Sequence, residues 1–238
     1  MNAPVYLALV ACVSFALSPL TFRMGWLTPR TAFLFLILGM VAGLIAATLG
    51  ILSWTKGGGA IALVPSVIGL CVAAVPLAGI ARAKTHPMIH DLSTDLENPP
   101  EFARLLALRE GAPNPPSYDG PEAANLQRQG YPDLQALKLA NPPSEAFGLA
   151  NRAARELGWT VASEDAAQLR IEAFETSRLF GFTDDIVVRI RPEGPGSRLD
   201  VRSKSRIGLS DLGANAARIR KFLARVSESA LHPARPNL

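Results

Sequence analysis

Three long apolar runs dominate the first third of the chain. They cover residues 4–22, 32–54 and 59–80, and no charged residue interrupts them. An α-helix rises about 1.5 Å per residue, so each run is long enough to cross a hydrocarbon layer of about 30 Å. A helix satisfies its own backbone hydrogen bonds at that depth. The pattern therefore predicts three membrane-spanning helices within residues 1–84, with the lipid bilayer as the first expected partner.

Small residues in the second run indicate close packing between helices. Gly39 and Gly43 form a GxxxG step, which lets a neighbouring helix approach closely. We expect this step to be used inside the three-helix bundle, and dimerisation is the alternative. The first run lacks the charged segment that opens a signal peptide, so we interpret it as a true span.

A proline-rich segment follows the apolar runs. Nine of the 19 prolines fall within residues 99–143. Because proline fixes φ and removes a hydrogen-bond donor, we expect residues 85–142 to be largely extended, with short helices near 100–109 and 121–129. The segment is too rich in aromatic and leucine side chains for a disordered linker. We therefore expect it to wrap the surface of the domain that follows.

Alternating strand patterns between two amphipathic helices mark residues 143–238 as a small domain. The first helix is predicted from Ser144 to about Leu157, and the last from a Ser210 cap to about Ser229. The strands predicted between them are 159–164, 168–176, 185–191 and 198–206. This order is typical of the α+β class. The predicted fold is three transmembrane helices followed by a small antiparallel sheet packed with two flanking helices.

Charge is distributed unevenly along the chain. Residues 1–84 contain five basic residues and no acidic residue, whereas the remainder contains 19 basic and 20 acidic residues. The net charge of +4 therefore belongs to the apolar part, and it is not evidence of a surface that binds nucleic acid. Of the basic residues beside the spans, four lie on the side of the C-terminal domain, against Lys56 and the terminal amine. The positive-inside rule then favours the cytoplasm for this domain.

Charged residues alternate along the last two predicted strands. In a regular hairpin Arg189 lies opposite Asp200, and we place Glu172 on the other side of Arg189. One interpretation is a solvated face with cross-strand ion pairs. The other is a cationic patch of Arg189, Arg202 and Arg206 for an anionic ligand, since arginine binds carboxylates and phosphates well.

One stripe of the last predicted helix carries Asp211, Asn215 and Arg218 at positions i, i+4 and i+7. We include these three residues with the arginine patch as candidate ligand-binding residues. The structural alternative is that Asp211 interacts with the dipole at the helix N-terminus and Asn215 bonds a neighbouring loop.

The segment just after the third run holds candidates for metal binding or acid–base chemistry. His90, Asp91 and Asp95 supply suitable side chains, although metal sites usually have tighter sets of ligands. The alternative is a network of turns and caps. The sequence contains no phosphate-binding loop, nucleophile elbow or paired-cysteine motif. No catalytic residue and no cofactor is predicted, and nothing in the sequence positively indicates an enzyme.

Two motifs resemble those of a known family. Residues 94–102 read TDLENPPEF, and residues 202–219 read RSKSRIGLSDLGANAARI. They resemble the bacterial and plastid family called domain of unknown function 1499, over about residues 86–225. The second motif rests on Arg202, Ser203, Ser205, Arg206, Gly208, Asp211, Gly213, Asn215, Arg218 and Ile219. The family's activity is unknown, so the resemblance implies no catalytic residue. It implies a compact α+β domain in proteins exported or lipid-anchored on the outer side of the envelope.

Together these observations predict an integral, multi-pass inner-membrane protein of the bacterial cell envelope. Because members of the family are exported, we expect the domain on the periplasmic side of the membrane. The positive-inside rule favours the opposite side. This chain also differs from those members in having three spans in place of a signal sequence or lipid anchor. We expect a non-enzymatic module that binds an anionic lipid, an envelope polymer or another membrane protein. Two alternatives stay open: a hydrolase-like or metal-assisted enzyme that uses His90, Asp91 and Asp95, and an accessory subunit of a membrane complex.

Overall fold

The structure is a computed structural model that describes residues 3–232. It divides the chain into two compact units. Among the described residues, the first unit comprises residues 3–85 with 177–181, and the second comprises residues 86–176 with 182–232. The last six residues of the predicted 143–238 domain lie outside the described part of the chain.

The first unit is built from three long apolar helices. These are α1 (Ala3–Arg23), α2 (Pro29–Thr55) and α3 (Val64–Thr85), with a short 3-10 helix at Ala60–Leu63 before α3. All three are long and apolar enough to cross a membrane, with mean hydropathy values of 2.0, 2.5 and 2.4 over their most apolar windows. The prediction of three candidate spans is confirmed.

The GxxxG step of α2 is used inside this bundle. A Cβ atom added to Gly43 would lie 2.5 Å from the carbonyl oxygen of Gly69 in α3, and one added to Gly39 would lie 3.1 Å from the carbonyl oxygen of Ala11 in α1. Two buried hydroxyl groups add hydrogen bonds between helices: Ser18 Oγ donates to Ala32 O at 2.6 Å, and Ser66 Oγ to Ala47 O at 2.9 Å. Small residues thus let α2 pack closely against both neighbours.

A short loop, residues 177–181, also belongs to the first unit. The ring of Phe180 stacks on Phe33 with centroids 5.8 Å apart and lies 6.3 Å from the ring of Phe22. Arg23 Nη1 donates a hydrogen bond to the carbonyl oxygen of Arg178 at 2.6 Å. Nothing in the local sequence pattern indicates this packing, because the residues involved lie more than 140 positions apart.

The second unit has an α+β fold with one antiparallel sheet. Its helices are α4 (Leu105–Leu108), α5 (Gly120–Gly130), α6 (Pro143–Glu156) and α7 (Ala214–Leu231). Its strands are β1 (Asp91–Ser93), β2 (Leu137–Leu139), β3 (Thr160–Asp165), β4 (Arg170–Thr176), β5 (Thr183–Glu193) and β6 (Gly196–Ser205). The order is β1-β6-β5-β4-β3, and β2 also pairs with β6. The predicted fold class is confirmed.

Two of the six strands come from the proline-rich segment. Strand β1 pairs with residues 202–204 of β6, and β2 pairs with residues 197–199 of the same strand. The proline-rich segment therefore adds two strands along the edge of β6 that β5 does not pair with. It also covers one face of the sheet. An edge closed by paired strands offers no template for another chain.

Helices α6 and α7 pack on one face of the sheet. Branched residues that alternate along β5 and β6 point into this core, and Trp159 stacks on Phe222 with ring centroids 4.7 Å apart. The predicted Ser210 cap is wrong: α7 begins at Ala214, after Gly213 with φ 82°. The side chain that accepts the free N–H groups there is Asp211, from Gly213 at 2.9 Å and from Asn215 at 2.7 Å.

Candidate functional site

The other face of the sheet carries a layer of charge under a covering segment. Residues 94–119 lie over this face, where Phe102 and Leu105 pack with Val187 and the half-buried Phe174 in a small apolar cluster. The fully buried Glu172 carboxylate holds the segment by accepting the N–H groups of residues 103, 104 and 105, at 2.9–3.1 Å. Ion pairs and hydrogen bonds to backbone groups, more than apolar contacts, therefore hold residues 94–119 on the sheet.

Arg202 lies at the centre of the charged layer. It is 1% exposed, and its Nε and Nη2 groups donate to the two carboxylate oxygens of Asp91 at 2.8 Å each. It also donates to the carbonyl oxygens of Pro100 at 3.2 Å and Pro116 at 2.9 Å. This guanidinium group therefore joins β1 and β6 to both arms of the covering segment.

Two further basic residues, Lys204 of β6 and Arg206 just after it, form ion pairs with carboxylates of the chain. Arg206 donates to Asp185 at 2.9 and 2.7 Å, and Arg109 donates to the same carboxylate at 2.5 Å. Lys204 Nζ lies 2.5 Å from Asp119 and 3.2 Å from Asp91. These contacts leave Arg202 and Arg206, two members of the predicted cationic patch, occupied within the fold.

Arg189 belongs to a different cluster. It pairs with Asp200 across the β5–β6 ladder, as predicted, but the strand position beyond it is occupied by Arg170 and not by Glu172, which lies opposite Val187. The register of β4, which the sequence could not fix, is two residues away from the predicted one. Like charges therefore face each other where an ion pair was expected.

Five charged residues form this second cluster, which we call the arginine cluster. Its cations and anions are Arg189, Arg191, Arg198, Asp95 and Asp200. Arg189 and Arg191 each donate through Nη2 to both carboxylates, at 2.7–3.2 Å, and Arg198 Nε donates to Asp200 at 3.0 Å. Three positive charges thus share two negative charges.

The environment of Asp95 favours its ionised form. Burial alone would raise the pKa of this carboxyl group, but the N–H of Asn98 and the guanidinium groups of Arg191, Arg198 and Arg189 outweigh burial and lower the pKa below its ordinary value. The cluster therefore keeps the Asp95 carboxylate charged at neutral pH.

A cavity of about 580 Å³ opens beside the cluster. We call it the arginine cleft; Arg191 and Arg198 line one part of it, and Arg128 of α5 lines another. The side chains of Arg191 and Arg198 are 37% and 31% exposed, whereas Asp200 is fully buried. Within residues 3–232, the Nε and Nη1 groups of Arg191 have no hydrogen-bond acceptor. Arginine donor groups therefore line the cleft with Asp200 beneath them, and Asp95 and the exposed Glu97 also line it.

The predicted helix stripe forms a third network, on the opposite face of β6. Asn215 is fully buried and bonds Ser203 at 2.6 Å, Ser205 at 3.1 Å and the carbonyl oxygen of His90 at 3.1 Å. Arg218 reaches Asp184 at 2.7 Å and Glu175 at 2.6 Å. These contacts tie α7 to the sheet.

Asp211 lies at the start of this stripe. Burial raises the pKa of its carboxyl group above the ordinary value, although the N–H groups of Gly213 and Asn215 that it accepts oppose the rise. Its role in the structure is to satisfy the first turn of α7. Each member of the predicted stripe therefore has partners within the fold.

The structure does not bring His90, Asp91 and Asp95 together as metal ligands. Asp91 binds Arg202 and Lys204, Asp95 belongs to the arginine cluster, and His90 Nε2 lies 3.2 Å from Asp119. No group of three or more metal-ligating side chains occurs anywhere in the part of the chain from residue 3 to residue 232.

Several residues of the site were missed by the sequence interpretation. Arg191 and Arg198 flank the hairpin loop and Arg109 binds Asp185, and none of these three arginines was among the predicted site residues. The strand alternation of Arg189, Arg191, Arg198 and Asp200 contained the signal for the cluster. Asp95 lies about 100 residues earlier in the chain, so only the tertiary fold reveals its membership.

Comparison with known proteins identifies the family of the second unit. Residues 91–226 match the model of the family described as "Protein of unknown function (DUF1499)". The chain belongs to this family. The two DUF1499 motifs lie in the networks described above: the first motif contains Asp95, and the second contains Arg202, Asn215 and Arg218. The resemblance seen in the sequence is confirmed.

Other comparisons add little. The crystal structure of TTHA0849 from Thermus thermophilus is similar at 15% sequence identity and a TM-score of 0.31, over 42% of this chain and 97% of that one. Similarity at this level carries no argument about function. None of the curated proteins matches this chain.

Proposed function

We propose that this DUF1499 protein is a membrane-anchored binding module that holds an anionic ligand in the arginine cleft. The observation that carries the proposal is the unequal charge of the arginine cluster, in which three arginines share two aspartates. A ligand carboxylate or phosphate would balance the third guanidinium group, and arginine suits both groups.

The accessibility of the cluster supports this proposal. Arg191 and Arg198 are about one-third exposed on the cleft side, while Asp95 is 11% exposed and Asp200 is buried. A ligand that enters the cleft can reach the N–H donors of Arg191 and Arg198, while the Asp200 carboxylate lies out of its reach; the exposed Glu97 lines the same cleft. The volume of about 580 Å³ lies within the range of about 300–1,000 Å³ that is usual for small-molecule sites.

The site proposed here differs from the patch expected from the sequence. Arg202 and Arg206 already bind carboxylates of the chain, so a ligand would have to displace Asp91 or Asp185 to reach them. Both carboxylates are fully buried against these arginines, so displacing them is unfavourable. Of the three arginines in the expected patch, Arg189 alone belongs to the arginine cluster.

The proposed setting is the inner membrane of the cell envelope, with the domain on the periplasmic side. The three apolar helices support membrane anchoring. Anionic lipid headgroups and acidic envelope polymers are present in that setting and carry the groups that arginine binds.

Ligand-induced stabilisation of the full-length protein tests the proposal. We would purify the chain in a neutral detergent and follow its thermal unfolding by tryptophan fluorescence, with inorganic phosphate, pyrophosphate and citrate as probes. A bound anion stabilises the folded state in proportion to the logarithm of its concentration over Kd. We expect at least one probe to raise Tm, and the double variant Arg191→Gln, Arg198→Gln to lose that increase.

Arg225→Gln is the matched control, because Arg225 is a half-exposed arginine that binds carboxylates outside the cleft. This variant should respond to the probe as the natural protein does. An equal increase in Tm in the double variant, or no response to any probe, would contradict the proposal.

A further inference from the structure

Two large apolar side chains of the second unit are exposed in segments that contact each other. Met88 is 71% exposed and lies three residues beyond Thr85, the last residue of α3. Leu209 is 73% exposed and lies in the loop between β6 and α7, which we call the Leu209 loop (residues 206–210). Single exposed apolar residues are common, whereas two on adjoining segments indicate a shared partner.

The Leu209 loop is attached at both ends to the segment that follows α3. The N–H of Ser205, just before the loop, donates to the carbonyl oxygen of His90 at 2.9 Å. The N–H of Asp211, just after the loop, donates to the carbonyl oxygen of Ile89 at 3.2 Å. Because each residue extends the chain by at most about 3.6 Å, both attachment points lie within about 18 Å of the end of α3.

The backbone of the Leu209 loop is well defined. The side-chain amide of Asn114 donates to the carbonyl oxygens of Ser205 at 3.0 Å and Gly208 at 2.9 Å. Gly208 has a φ of 98°, a conformation that glycine adopts without strain. Leu209 is therefore exposed on a loop whose shape is fixed by hydrogen bonds on either side of it.

The length of the chain brings this surface to the level of the lipid headgroups. The last turn of α3 carries Arg82 and Lys84, and basic side chains at the end of a span extend to the headgroup layer. That layer is about 5–8 Å thick on each side of the hydrocarbon core. Met88 follows Thr85 by three residues, so it lies within about 11 Å of the end of the helix.

A lipid bilayer fits this surface better than a protein partner does. A stable protein interface buries about 800 Å² on each partner, which is several times the area that two side chains offer. The interfacial layer of a bilayer accepts individual apolar side chains without that requirement. Continuity with the end of a membrane-spanning helix also favours lipid.

We propose that Met88 and Leu209 insert into the interfacial layer of the bilayer beside the end of α3. They form a membrane contact of the second unit, in addition to the anchoring by three helices. This contact goes beyond the proposed function and is independent of it, because neither residue lines the arginine cleft.

Fluorescence quenching of the full chain in phosphatidylcholine nanodiscs tests the proposal. Cys12 and Cys71, the two cysteines of the sequence, are replaced by serine, and a polarity-sensitive fluorophore is attached at Leu209→Cys or Met88→Cys. We expect phosphatidylcholine with a spin label on its acyl chain to quench both probes. Aqueous iodide should quench them about threefold less than a solvent-exposed probe, because an anion is excluded from an apolar layer.

Leu231→Cys is the matched control. Leu231 is 74% exposed and lies at the C-terminal end of α7, an 18-residue helix that begins after the Leu209 loop. Its probe should be quenched by iodide and not by the spin-labelled lipid. Iodide quenching at Leu209 as strong as at Leu231 would overturn the proposal. Protection of the Leu209 probe from iodide without quenching by the lipid would overturn it too, because it would indicate a protein partner.

A second pair of variants tests the natural side chain of Leu209 without a fluorophore attached to it. With the probe at Met88→Cys, we expect Leu209→Asp to raise iodide quenching about twofold, since the apolar area inserted in the bilayer decreases. Leu231→Asp, at a side chain of equal exposure, should leave the quenching unchanged. Equal quenching in the two variants would contradict an insertion of Leu209.

Discussion

At the scale of single residues, the notable feature is buried charge on one face of the sheet. Arg202 and Lys204 are among the largest fully buried side chains of the described chain, and Glu172, Asp185 and Asp200 are buried with them. Each has an oppositely charged or backbone partner. Removing one partner of such a pair leaves an uncompensated charge, so these residues are sensitive to single substitutions.

Arg202→Met is the sharpest test of that sensitivity. Asp91 would lose two hydrogen bonds, and the carbonyl oxygens of Pro100 and Pro116 would each lose a donor. We expect the free energy of unfolding to fall by about 3–5 kcal/mol, measured by thermal unfolding of the full chain in detergent. Arg225→Met, at a solvated ion pair, should change Tm little. A similar small effect of Arg202→Met would show that the buried network is not stabilising.

The pH dependence of stability should report on Asp95. Because its pKa is lowered in the folded state, its carboxylate stabilises the fold above the ordinary aspartate pKa of about 3.9, and this contribution disappears as pH falls through the lower folded value. The natural protein should therefore exceed Asp95→Asn in Tm at pH 7, and the gap should narrow below about pH 4. Glu110→Gln, at an exposed position, should show no such gap. A gap that widens in acid would contradict the assigned direction.

At the scale of elements, glycine decides how the apolar helices pack. Gly43 of α2 and Gly69 of α3 meet backbone to backbone, whereas Gly79, also in α3, has open space around its Cα. The sequence predicted the packing role of the GxxxG step correctly. It could not supply Gly69 as the partner, because that pairing depends on how the two helices align.

Gly43→Leu and Gly79→Leu form a matched pair of variants. The first places a side chain against the backbone of Gly69, and the second extends into open space. We expect Gly43→Leu to separate α2 from α3 and to lower the midpoint of the helical circular-dichroism melt in detergent, while Gly79→Leu leaves it nearly unchanged. Equal melting of the two variants would argue against this interface.

At the scale of the whole molecule, the sequence predicted the three candidate spans, the α+β class and the family. Periodicity and composition were enough for the spans and the fold class, because long apolar runs and strand alternation are local signals. The family was recognised from the resemblance of two motifs. The residues of the candidate site were harder to predict from the sequence. Asp95 contacts Arg191 and Arg198 although about 100 residues separate them in the sequence, and Asp185 binds Arg109 across 76 residues. No local sequence pattern specifies a partner at such separations. The sequence therefore predicted the pairing of Arg189 with Asp200, but not the membership of Arg191 and Arg198 in the cluster or the contact of Asp95 with these arginines.

The side of the membrane that carries the domain stays a prediction at this scale. We expect a phosphatase fused after the last residue to be active and a fluorescent protein in the same position to be dark, because the proposed setting is periplasmic. Fusions after Lys56, on the opposite side of a three-span topology, are the control and should behave in the opposite way. A fluorescent C-terminal fusion would instead support the positive-inside count and transfer the search for ligands to the cytoplasm.

The central claim is that the arginine cleft holds an anion, and crystallographic location of a heavy anion tests it most directly. Crystals of the full chain would be soaked in tungstate, a tetrahedral oxyanion that is visible by its anomalous scattering. The account predicts a peak within hydrogen-bond distance of Arg191 and Arg198, and no such peak in crystals of the Arg191→Gln, Arg198→Gln variant. Peaks found only elsewhere on the molecule, with the cleft empty, would contradict it.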